Sequence, residues 1–153
     1  MTPNWVAATL ESRLFLLLAR IVLTTPFWGA GIQHLVQYQT IPGEMAHFGL
    51  SPAMPYAVGL IVTLFGGSAL AIAGGKWSWL GAGWLGVFTA LTIPICHAFW
   101  NMQGAEAMNE FRTVMEHISI IGGLMVVAIL DQVDTRAAAG GRLTGAPAPA
   151  PQG

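Results

Sequence analysis

Charge is what this chain most lacks. Of its 153 residues only six are Lys or Arg and seven are Asp or Glu, 8% in all, against roughly 25% in an ordinary soluble domain. A single domain of this size has a high surface-to-volume ratio, and so few charges cannot cover a water-facing surface. That excludes an ordinary soluble enzyme and a charge-rich disordered chain. The net charge of −1 offers no basic field for a phosphate backbone, which excludes nucleic-acid binding. Cysteine is nearly absent too. Cys96 alone cannot build a disulfide framework or a cysteine metal cage. What is present is apolar: 54% hydrophobic residues and 19 glycines. This is the composition of an integral membrane protein.

The few charges are unevenly placed. None lies between Glu44 and Lys76, and none between Lys76 and Glu106. Each gap holds enough apolar residues to cross a bilayer, which takes about 20. The sequence predicts an all-α, four-helix integral membrane bundle over residues 14–130, with helices at 14–36, 53–74, 78–100 and 109–130. Residues 1–13 form an N-terminal segment, and 131–153, rich in Ala, Gly and Pro, are expected to be a disordered tail. The first helix reads as a retained span rather than a signal peptide, because Arg20 interrupts it and no small-x-small cleavage site follows. Arg13, Arg20, Lys76, Arg136 and Arg142 fall on one side of this topology and Arg112 on the other. The positive-inside rule then places both termini in the cytoplasm.

Helices in lipid associate through close packing of small residues. The second carries Gly59, Thr63, Gly67, Ala71 and Gly75 at i+4 spacing, and the third Ala82, Gly86, Ala90, Pro94 and Ala98. Both stripes are expected to be packing faces. Pro26 and Pro94 break backbone hydrogen bonds inside helices one and three. Such a kink either only shapes packing or opens room beside His97.

Ionisable residues inside a span are costly and usually face the bundle interior or a wet cavity. On helix one, Arg20, Thr24, Phe27, Gly31 and His34 share a narrow arc. On helix four, Arg112, Glu116, Ser119 and Gly123 share a face, and Arg112 and Glu116 are spaced to pair along the helix. Arg20 is read as snorkelling to the inner headgroups. His34, His47, His97 and His117 all fall on the outer half. Three readings of this cluster stand side by side. It is a structural ion pair with interfacial hydrogen-bonders, or a small-molecule or quinone-head pocket, or a metal or haem site. The last is disfavoured, because no H-x-x-x-H or E-x-x-H spacing occurs and Glu116 and His117 diverge on the helix.

These residues resemble the DoxX family of small four-helix membrane proteins, including its YphA-like members. The resemblance runs over residues 13–130. It rests on Leu18-Ala19-Arg20 followed by Gly29-Ala30-Gly31-Ile32, and on Phe48-Gly49-Leu50-Ser51-Pro52. Gly66-Gly67, Cys96-His97-Ala98-Phe99-Trp100 and Ile120-Ile121-Gly122-Gly123-Leu124 complete it. It implies a multi-pass protein of the bacterial inner (plasma) membrane, and association with redox complexes that use quinones. Family members often carry Lys where His34 stands, Glu where Thr63 stands and Lys-Asn where Glu116-His117 stand. A role that needs those residues does not transfer here.

The expected function is that of an accessory subunit of a quinone-linked membrane redox complex, not a stand-alone enzyme. A small transporter or permeability protein is the alternative, and so is a scaffold with no small-molecule site. The candidate binding residues are His34, His97, Trp100, Arg112, Glu116 and His117, with Trp100 walling the entrance. A quinone is the expected cofactor. The expected partners are the lipid bilayer, other protein subunits or further copies of the chain. No catalytic residue or metal ligand is assigned.

Overall fold

The computed structural model describes residues 2–144, and side chains as far as residue 137. It is all-α: α1 (Asn4–Leu10), α2 (Arg13–Val36), α3 (Ile41–His47), α4 (Ala53–Val62), α5 (Ser68–Ala73), α6 (Ser78–Cys96) and α7 (Gly104–Thr144). A π-turn at Thr63–Gly67 joins α4 and α5 into one span. Four segments are long and apolar enough to cross a membrane: Arg13–Val36, Ala53–Ala73, Gly75–Asn101 and Gly104–Ala137. Below, the end of the bundle bearing Arg13, the Ala73–Ser78 connection and Asp131 is called the terminal end. The other is the opposite end.

Local chemistry explains the boundaries. The Ser12 hydroxyl accepts the Phe15 N–H at 3.0 Å and starts α2. Gly74, at φ +73°, stops α5 in a conformation that side chains disfavour. α6 ends two residues after Pro94, and His97 leaves the helix at φ −123°, ψ 38°. The helix expected to stop at residue 130 continues to Thr144, because no Pro interrupts it there and Asp131 finds a buried partner. The expected disorder therefore does not hold for residues 131–144, and 145–153 lie outside the described residues. At 41 residues, α7 is about 60 Å long, roughly twice the hydrocarbon core of a bilayer.

The core forms where α2, the π-turn, α5, α6 and α7 meet, around Phe27, Leu64, Ala71, Ala82, Leu85 and Leu124. The arc expected on helix one is the buried one: Arg20, Thr24, Phe27 and Gly31 are buried and His34 is half-buried. In the second span Thr63, Gly67 and Ala71 are buried, while Gly59 and Gly75 at the ends are exposed. The stripe expected on helix three is only partly right. Ser78, Gly81, Ala82, Leu85 and Thr89 face inward, and Ala90 and Pro94 are exposed. Gly81 sets this rotation. A Cβ there would come within 2.6 Å of the Ala71 backbone nitrogen, so the two spans touch backbone to backbone.

At the terminal end Arg20 does not snorkel. It is 4% exposed and forms a buried ion pair with Asp131, which is 5% exposed. The same guanidinium donates to the Ala71 carbonyl and the Ser78 hydroxyl, each at 3.2 Å, and lies against Gly74. It thereby caps the carbonyl end of α5 and ties all four spans together.

Candidate functional site

The opposite end holds a cavity of about 580 Å³ between α2, α3, α4, the π-turn, α6 and α7. Its walls are mostly apolar, with Phe27, Leu64, Phe88 and Ile120 towards mid-membrane. Pro26 of α2 and His97 both line it. The π-turn places Thr63 and Leu64 together on the cavity side, as an extra residue in a helical turn does. Polar lining comes from the ends of the helices. His34 is in the last turn of α2, Cys96 and His97 end α6, and His117 is on α7.

Each of the three lining histidines has a defined neighbour. His97 Nδ1 donates to a Glu110 carboxylate oxygen at 2.6 Å. His117 Nδ1 donates to the Thr113 carbonyl at 2.8 Å. The two imidazoles meet edge-to-face with centroids 4.8 Å apart. His34 Nδ1 lies 3.6 Å from a Glu44 oxygen, whose other oxygen accepts the Thr40 hydroxyl at 3.0 Å. α3 carries Glu44 and is fixed over the bundle by a second apolar cluster of Ile41, Met45 and Ala57. Phe99 packs edge-on against Phe111 at 5.3 Å, which holds the end of α6 in register with α7 and so aligns His97 with Glu110.

Three of the residues expected at a site, His34, His97 and His117, line this cavity. The other three do not. Arg112 and Glu116 are exposed, and they form no ion pair with each other among the described residues. The inward face of α7 is Val114, Leu124 and Asp131, spaced by ten and seven, with His117 on the same side. Arg112 and Glu116 sit off that face and stand outside the cavity lining. Trp100 is 55% exposed, packs on Phe99 and stands outside the lining. Glu44 and Glu110 were missed by sequence reasoning. The seven-residue step from Glu110 to His117 was the available signal, because it puts both on one helix face.

Chemically, the site offers imidazoles, each backed by a carboxylate or carbonyl, at the head of an apolar chamber. It can hydrogen-bond or exchange protons with the polar head of a molecule whose remainder is apolar. Among the described residues, no three His, Cys, Asp or Glu gather closely enough to hold a metal ion.

Fold and site together define a small polytopic membrane protein with a polar-headed chamber inside its helix bundle. A family model described as DoxX matches residues 15–98, more than half of the chain, and the chain belongs to the DoxX family. No curated protein and no solved structure matches it significantly. Glu110, His117 and Asp131 lie beyond the matched residues.

Proposed function

We propose that this protein is an accessory subunit of a quinone-linked redox complex in the bacterial inner membrane, with both termini in the cytoplasm. In this reading the cavity holds the head of a lipophilic quinone in the outer half of the bilayer. The observation that carries it is the division of the cavity into an apolar chamber and a head of three imidazoles. A quinone has the same division, between a hydrogen-bonding ring and an apolar tail. A volume near 580 Å³ is that of an ordinary small-molecule site. The basic residues support the orientation even with Arg20 neutralised by Asp131. Arg13, Lys76 and Arg136 lie towards the terminal end and Arg112 towards the other.

The test is purification of the full chain in mild detergent, followed by extraction and quantification of bound quinone. Retention by the native chain and loss in His97→Ala, with folding preserved, is the expected result. Equal quinone content in the two proteins, at the level of detergent micelles alone, overturns it. Subunits that co-purify in the same preparation identify the complex.

A further inference from the structure

We propose that the chamber opens sideways into the bilayer, through a slot between α4 and α6, and that the apolar tail of the ligand leaves through it. This rests on the quinone reading above and adds how the tail is housed. The seam between the second and third spans widens along its length. Towards the terminal end the two backbones touch, Ala71 against Gly81. One turn further, Gly67 meets Leu85, and a Cβ on Gly66 would lie 3.7 Å from the Trp84 ring. The same antiparallel register brings Leu91 level with Gly59 and Ile95 level with Pro55. There the packing is gone. A Cβ on Gly59 would meet nothing within 4 Å, and α4 scarcely touches α6. The π-turn at Thr63–Gly67 lies between the closed part and the open one, and its extra residue rotates α4 relative to α5.

Pro55, Tyr56, Gly59, Leu91 and Ile95 all line the chamber, and all are exposed. Leu91 is 56% exposed and Ile95 46%. A residue that belongs both to the lining and to the surface stands at a mouth. Elsewhere in the lining only Pro26 and Phe48 are exposed, on two other helices. Both sides of the slot belong to segments long and apolar enough to cross a membrane, so it faces hydrocarbon and not water. A chamber of about 580 Å³ has room for a drug-sized molecule. A ring together with a tail of many isoprene units exceeds it. A tail lying between Gly59 and Leu91 stays in lipid while the ring sits among the histidines, so no apolar surface has to cross water on the way in.

The experiment uses the full chain in lipid nanodiscs and a decyl-chain quinone with a fully substituted ring and a diazirine at the end of its tail. After illumination, adducts are mapped by mass spectrometry, with and without excess unlabelled quinone. Adducts removed by the competitor are expected along the slot, on residues 55–62 and 87–95. Competed adducts on Phe27, Leu64 or Ile120 show a tail folded inside the chamber, and adducts on α2 around Pro26 show an exit on another side. Either result overturns the slot and leaves the quinone reading standing. No competed adduct anywhere overturns that reading and the slot with it. Gly59→Trp fills the slot from a position with open space at Cβ and is expected to cut competed labelling several-fold. Gly83→Trp, at another exposed glycine with nothing within 4 Å, is expected to leave it unchanged. An equal effect of the two substitutions overturns the slot.

Discussion

Arg20 and Asp131 pair across 111 positions of sequence and join the first span to the last inside the bundle. Both side chains are 5% exposed. Arg20 Nε and Asp131 Oδ2 find no other protein partner among the described residues, so each charge depends on the other. Removing one partner strands the other as an uncompensated buried charge. Asp131→Ala is therefore expected to lower stability by roughly 3–5 kcal/mol, whereas replacing both residues by apolar ones of similar volume restores much of it. Reversible unfolding in mixed micelles, measured on the two single variants and the double, checks this. Strict additivity of the single effects would show that the pair does not couple.

The backbone contact between the second and third spans gives a sharper contrast between neighbouring glycines. A Cβ at Gly81 meets the Ala71 nitrogen at 2.6 Å and the Leu70 Cβ at the same distance, and neither can swing away. Gly83, on the other side of α6, has nothing within 4 Å. Gly81→Ala is expected to cost roughly 1–3 kcal/mol through overpacking. Gly83→Ala is expected to be neutral or to stabilise by up to about 1 kcal/mol through helix propensity. The same unfolding assay ranks them, and similar values for the two would contradict the packing described.

Helix one shows what the sequence makes legible and helix four what it hides. Arg20, Thr24, Phe27, Gly31 and His34 follow a three-and-four spacing on one continuous helix, so their common face can be computed without neighbours. On α6 the small residues Gly81, Ala82, Gly83, Gly86 and Ala90 occupy both faces, and only the approach of Ala71 decides which is inside. Asp131 closes an apolar run and reads as the first residue past the membrane. Its role as an interior residue depends on Arg20, which no local periodicity reveals. Glu116 drew attention by its depth in the span, yet its angular position turns it outward and leaves Glu110, one helix face away, as the partner of His97.

That difference separates the two glutamates experimentally. Glu110 holds His97, whereas Glu116 is exposed and outside the cavity lining. Glu110→Ala is expected to reduce co-purified quinone several-fold, by releasing an imidazole that a charge-assisted hydrogen bond now fixes, a bond of about 1.5–3 kcal/mol. Glu116→Ala is expected to leave quinone content within experimental error. Extraction from matched preparations of the two variants decides it, and the reverse order would move the site to the other face of α7.

Cys96 reports on the cavity without any change to the sequence. It is the sole cysteine of the chain, half-buried and in the cavity lining next to His97. A small apolar maleimide that partitions into the micelle should reach it, and a charged maleimide of similar size should react far more slowly. A ligand in the chamber occupies the space the reagent must enter. A saturating decyl-chain quinone with a fully substituted ring is therefore expected to slow alkylation by about tenfold, as for a group shielded in all but a small unbound fraction. The same concentration should have no effect on alkylation of denatured chain. Mass spectrometry of the intact protein against time gives the rates. Protection by the quinone that disappears in His97→Ala would join the thiol, the imidazole and the ligand to one cavity, whereas an unchanged alkylation rate would place the ligand elsewhere.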